Sequence, residues 1–70
     1  MKRNQNERVL EYLKVHGSIT PLEALNELGV MRLGARIWEL RNEGHAITRV
    51  LETGMNRNGE TVRYARYALG

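Results

Sequence analysis

The sequence contains no cysteine and no aspartate, and its single serine is Ser18. Without cysteine it can form no disulfide, thiolate nucleophile, iron–sulfur cluster or cysteine-ligated zinc site. A Ser-His-Asp arrangement is excluded because there is no aspartate, and a Cys-His arrangement because there is no cysteine. His16 and His45 lie 29 positions apart, without metal-ligand spacing, so we interpret each as a histidine near a helix end.

The glycines do not form a phosphate-binding loop pattern, and most glutamates come in pairs four positions apart. Such pairs on short amphipathic helices are typical of a solvated face rather than of an acid/base site. We therefore do not expect an enzyme, and we expect no cofactor and no metal.

Long hydrophobic runs are also absent, since the longest stretch without a charged residue spans only residues 15–22. That is far shorter than a membrane span, and no apolar run of signal-peptide length follows the basic N-terminus. We expect a cytoplasmic protein that does not enter membranes. With 70 residues, it should form one domain over residues 1–70, with residues 1–4 as a flexible basic arm.

An apolar stripe at helical spacing predicts a first helix over about residues 5–15. Its members are Val9, Leu10 and Leu13. Gly17 stands where a helix-terminating glycine is expected, because glycine adopts the left-handed conformation without steric cost. Ser18 and Ile19 should then form a short extended link.

Thr20, Pro21 and Glu23 form a sharp helix-start signal. The threonine and glutamate side chains can each accept a hydrogen bond from the other's backbone N–H, and proline suits the first helical position. This capping box predicts a second, short helix that ends at Gly29. Its expected apolar face consists of Leu22, Ala24, Leu25 and Leu28.

A third helix is predicted over about residues 31–43, because Leu33, Ile37 and Leu40 repeat at helical spacing and Gly44 follows. A short turn containing Gly29 separates it from the second helix. Two helices joined in this way have the spacing of a helix-turn-helix.

Beyond Gly44 the residues favour strands, over 46–53 and 61–69, and Asn58-Gly59 suits a hairpin turn with positive φ. Tyr67 and Leu69 share a strand face with Ala65 and should close the core. The fold class predicted is α+β, a winged helix-turn-helix: three helices followed by a two-stranded β-hairpin wing, with a short strand near Ile19.

Two segments resemble small helix-turn-helix proteins that are common in bacteriophages and prophages. The first, residues 17–25, carries the pattern I-T-x-x-E-A, and the second, within residues 29–41, carries R-L-x-A-R-I-x-x-L. Together they cover about half of the chain. The resemblance implies DNA binding, as a transcription regulator or as an architectural factor of a phage or prophage.

Charge is unevenly distributed, with a net charge of +3 overall but −2 over residues 18–30, which include the second helix. The N-terminal segment, the third helix and the hairpin are each net positive. A helix-turn-helix protein places its third helix in the major groove and its flanking elements on phosphates. Double-stranded DNA is therefore the expected partner.

With its apolar stripe buried, the third helix should present Met31, Ala35, Trp38 and Asn42 on the opposite face. Arg32 is the leading candidate to reach a guanine edge, while Ala35 could contact a thymine methyl group and Asn42 could add to readout. Arg36 is expected either to contact phosphate or to form an ion pair with Glu39. The alternative for Trp38 is a half-buried core aromatic.

In the hairpin, the predicted contacts are Arg49, Asn56, Arg57, Asn58 and Arg63. The three at the tip are residue types that clasp phosphates or enter a minor groove. Because Arg63 and Arg66 are three positions apart, they should point to opposite faces, and only one of them can face DNA.

A second hypothesis is a winged-helix module that engages a host or phage protein through Trp38, Met31 and the hairpin. No dimerisation helix follows the wing, so we expect a monomer or a weak dimer.

Overall fold

Three helices and a three-stranded antiparallel sheet make up the described part of the chain, residues 4–70 of a computed structural model. The elements are α1 (Gln5–His16), β1 (Ser18–Ile19), α2, which begins as an α-helical segment (Pro21–Glu23) and continues as a π-helical turn (Ala24–Leu28), α3 (Leu33–Asn42), β2 (Ile47–Met55) and β3 (Thr61–Leu69). The strand order is β1-β3-β2. The predicted α+β winged helix-turn-helix fold is confirmed, including the short strand that contains Ile19.

Helix α1 has the two ends that its sequence predicts, extended by one residue to His16. The side chain of Asn4 accepts a hydrogen bond from the Glu7 backbone N–H at 2.8 Å, and Gly17 ends the helix with a φ of 88°. Asn4 is therefore a helix cap, not part of a flexible arm. The rest of the expected arm lies outside the described residues.

The capping box that starts α2 is confirmed. The Thr20 backbone N–H donates to Glu23 Oε1 at 2.9 Å, and the Glu23 N–H donates to Thr20 Oγ1 at 3.2 Å. Thr20 is buried, so water cannot easily replace these hydrogen bonds.

The predicted apolar face of α2 is correct for two of its four residues. Ala24 is buried and Leu28 packs against the core, but Leu22 and Leu25 are exposed. Leu22 lies two residues before Ala24, about 200° around a helix, so burial of Ala24 turns Leu22 outward. The π-helical turn from Ala24 onward, which is wider than an α-helical turn, also changes the angular spacing of the residues in it.

The core lies between the helices and one face of the sheet. Its buried members are Val9, Leu13, Ile19, Ala24, Val30, Leu33, Ile37, Leu40, Ile47 and Tyr67, with Ala65 and Leu69 packed against them. The structural interpretation of Tyr67 is therefore confirmed. Its hydroxyl would lie 3.9 Å from a Cβ atom at Gly34, which places α3 against this sheet face.

We expect Thr20→Ala to lower the free energy of unfolding by about 1 kcal/mol, because it leaves the Glu23 backbone N–H without its cap. Glu27→Ala, at an exposed position of the same helix, should change it by less than about 0.5 kcal/mol. Urea denaturation followed by circular dichroism measures both. Equal stabilities of the two variants would contradict a stabilising role for the capping box.

Candidate nucleic-acid interface

Helix α3 begins two residues later than the sequence predicts. Arg32 is its N-cap, with non-helical φ and ψ of −120° and 63°. Val30, two residues earlier, is buried, so the chain must first enter the core there before the helix can start. Met31 and Arg32 therefore lie exposed in the turn over residues 29–32, at the N-terminal end of α3 rather than on it.

The outward face of α3 carries Trp38 and Asn42, which are both exposed, and Ala35, which is half-buried. The Trp38 side chain is 66% exposed, so its interpretation as a half-buried core aromatic is wrong.

Trp38 lies toward the flank of α3 that is nearer the sheet. It shares a helical stripe with Gly34 and Arg41, at spacings of four and three residues. Gly34 lies beside Tyr67 of β3, and Arg41 Nε donates a hydrogen bond to the Ile47 carbonyl of β2 at 3.0 Å. Trp38 therefore lies at the hairpin side of the outward face of α3.

Arg36 is engaged within the helix. Its Nη2 lies 2.9 Å from Glu39 Oε1, and both side chains are partly buried. Of the two expectations for Arg36, the ion pair is the one that the structure contains. Within residues 4–70, Arg32 forms no ion pair with Glu39, so its guanidinium is not held by that carboxylate.

The register of β2 and β3 assigns each residue of these two strands to one of two faces. We call the face that holds the buried residues Ile47 and Tyr67 the core-side face. It also carries Arg49, Leu51, Thr53, Met55, Thr61, Arg63, Ala65 and Leu69. The opposite face, which we call the outer face, carries Thr48, Val50, Glu52, Gly54, Val62, Tyr64, Arg66 and Ala68.

The core-side face carries the unpaired positive charge of the hairpin strands. Arg49 and Arg63 are both exposed there, and no carboxylate shares that face. The prediction that Arg63 and Arg66 lie on opposite faces is confirmed. Because α3 packs on the core-side face, Arg49 and Arg63 lie on the same side of the sheet as that helix.

Arg66, on the outer face, is neutralised by its neighbours. Its Nε donates to Glu52 Oε1 at 2.7 Å, while Nη1 donates to Ser18 Oγ at 3.0 Å and lies 3.6 Å from Glu23 Oε1. The hydrogen bond to Glu52 raises the pKa of the Arg66 guanidinium above its ordinary value. Arg66 thus joins β1, α2 and β2, and its role is structural.

Asn56 organises the hairpin tip, residues 56–60. Its Oδ1 accepts hydrogen bonds from the backbone N–H groups of Asn58 and Glu60 at 2.9 and 3.0 Å, and its Nδ2 donates to Glu60 Oε1 at 3.1 Å. Gly59 has the expected positive φ, 77°, but Asn58 does not. Arg57 and Asn58 are exposed at the tip.

Within residues 4–70, no three histidine, cysteine, aspartate or glutamate side chains cluster as a metal site would require. None of the helices in this part of the chain combines the length and apolar character that crossing a membrane would take.

Comparison with known proteins supports the architecture. A family model described as a winged helix-turn-helix domain matches residues 4–70, nearly the whole chain. No curated protein and no solved structure matches the chain.

Proposed function

We propose that this chain, which belongs to the winged helix-turn-helix domain family, binds double-stranded DNA with α3 in the major groove and its hairpin on the phosphate backbone or in the minor groove. The observation that carries this proposal is the separation of charge in the hairpin. Arg49 and Arg63 lie on the α3 side without carboxylates, whereas Glu52 and Arg66 neutralise each other on the outer face.

Each candidate residue takes a role that follows from its position. Arg32, at the start of α3 and free of Glu39, reaches a guanine edge. Ala35 and Asn42, on the outward face, contact bases, and Trp38 contributes apolar contact at the groove. Met31 extends this surface at the N-terminal end of α3.

The hairpin residues act on the backbone. Arg49 and Arg63 neutralise phosphates, and Arg57 and Asn58 at the tip reach the minor groove or its phosphates. Arg36 and Asn56 act indirectly, because their side chains are held by Glu39 and by the tip backbone respectively.

The biological role that we propose is a regulator of transcription or an architectural factor of a phage or prophage. The resemblance of the α2 and α3 segments to small proteins of that origin supports it. We also propose that the protein is cytoplasmic and that it is a monomer or a weak dimer.

We expect Arg57→Ala and Arg32→Ala to weaken DNA binding in different ways. Loss of Arg57 removes a phosphate contact, so affinity should fall to a similar extent for all duplexes. The slope of log affinity against log salt should become shallower by about one unit. Loss of Arg32 should cost about 1–3 kcal/mol on the preferred duplex and relax specificity at one base pair. The measurement is competition binding against a panel of duplex sequences.

Lys14→Ala is the control, since Lys14 is an exposed cation on α1, an element that is not part of the proposed interface. It should change affinity less than either variant. If Arg57→Ala and Arg32→Ala lose affinity equally and without sequence dependence, the roles assigned to them are wrong.

A protein partner is the second candidate function, and the exposure of Trp38 and Met31 favours it. Tryptophan and methionine are enriched in protein interfaces, whereas a DNA-facing surface is rich in cations. Trp38 is the sole tryptophan, so its fluorescence reports on this surface alone. Acrylamide quenching that duplex DNA suppresses supports the DNA proposal; strong quenching that DNA leaves unchanged supports a protein partner.

A further inference from the structure

Strand β2 forms one edge of the sheet, since the strand order is β1-β3-β2. The bonds from Gly70 N–H to Ala46 O and from Asn56 N–H to Glu60 O show that even-numbered β2 residues direct their backbone polar groups toward β3. The odd-numbered residues therefore direct their N–H and C=O groups outward, away from the sheet.

At the base of this edge, one outward group already has a partner, because the Ile47 carbonyl accepts from Arg41 Nε. Farther along, the N–H and C=O groups of Arg49, Leu51 and Thr53 form no backbone hydrogen bond to any other element within residues 4–70. They form a row of donors and acceptors at the spacing that another strand would match.

Apart from the exposed Arg49, the edge lacks the features that usually prevent strand addition. β2 contains no proline and no lysine, and its register with β3 is continuous, without a bulge. Val50 and Leu51 are 57% and 58% exposed, one on each face of the strand. The Glu52 carboxylate is paired with Arg66, so it adds no free charge that would repel another strand.

We propose that this edge binds the same edge of a second copy of the chain, antiparallel, with a two-fold axis at Leu51. In this register Leu51 faces Leu51 of the second copy, Arg49 faces Thr53, and Val50 faces Glu52. About six backbone hydrogen bonds would form between the copies. No like charges stand directly opposite each other, whereas an axis at Glu52 would oppose two glutamates.

The axis is perpendicular to the sheet, so the core-side faces of both copies lie on the same side. Both α3 helices and both sets of Arg49 and Arg63 would then face one ligand surface. A single strand pair buries less area than a standard protein interface does. We therefore expect the dimer to have a dissociation constant in the high micromolar range. The dimer goes beyond the proposed function and does not require that the chain bind DNA.

Sedimentation velocity of the full chain over rising concentration tests the proposal. The chain should shift from monomer to dimer, and Leu51→Lys should weaken dimerisation at least about tenfold because two lysines would stand face to face. Val15→Lys is the matched control, since Val15 is also an exposed apolar residue and lies on α1. A chain that stays monomeric to about 1 mM, or equal effects of the two variants, overturns the proposal.

A cysteine variant tests the position of the axis. The natural sequence has no cysteine, so Leu51→Cys introduces a unique thiol. A short bismaleimide cross-linker should join two copies through this thiol efficiently, and through a Val15→Cys thiol poorly. Cross-linking that is equal for the two variants contradicts the register.

Discussion

Ile37→Ala is expected to lower the free energy of unfolding by about 2–4 kcal/mol. Ile37 is 1% exposed at the centre of α3, and its truncation leaves a cavity between that helix and the rest of the core. A domain of this size buries a smaller share of its surface on folding than a larger domain does, so such a loss is a large part of its total stability. The variant should be substantially unfolded at 37 °C.

Trp38→Ala is the control for this prediction, because Trp38 is the next residue along and is exposed. It removes a larger side chain from the same helix but should lower stability by less than about 1 kcal/mol. Urea denaturation monitored by circular dichroism compares the two. If the tryptophan variant is the less stable one, the orientation of α3 given by the structure is wrong.

Replacing Arg49, Arg57 and Arg63 together with glutamine is expected to weaken duplex DNA binding by about 100-fold at low salt. Three phosphate contacts would be lost, so the slope of log affinity against log salt should become shallower by about 2–3 units. All three side chains are exposed, and none belongs to the core, so the fold should be retained. Fluorescence anisotropy at several salt concentrations measures both quantities.

Lys14→Gln controls for the loss of positive charge as such, because Lys14 is exposed on α1. Its effect should be well below one third of the free-energy change of the triple variant. A proportional effect would mean that net charge, not the position of the arginines in the hairpin, determines binding.

Local signals made much of the fold predictable. The capping box at Thr20, the glycines that end α1 and α2 and the apolar stripe of α3 each depend on a few neighbouring residues, and the structure contains all of them. The features that sequence analysis missed depend on distant contacts. Burial of Val30 delays the start of α3, and burial of Ala24 turns Leu22 toward solvent.

The candidate site was predictable in the same partial way. Alternation along a strand is enough to separate Arg63 from Arg66, but the pairing register and the packing of α3 decide which of them shares a face with that helix. The role of Asn56 had a weak signal, since asparagine side chains often accept hydrogen bonds from the backbone two residues later. Helical periodicity placed Trp38 on the outward face of α3, but periodicity alone does not say whether an aromatic residue there also packs against a neighbouring element.

Fluorescence anisotropy with a mixed-sequence duplex at two salt concentrations, with RNA and heparin as competitors, tests the central claim most directly. Neutralisation of about five to seven phosphates predicts a log–log slope of roughly −5 to −6 and a preference for duplex DNA. Absence of binding even at low salt would contradict the claim that α3 and the hairpin form a DNA-binding surface.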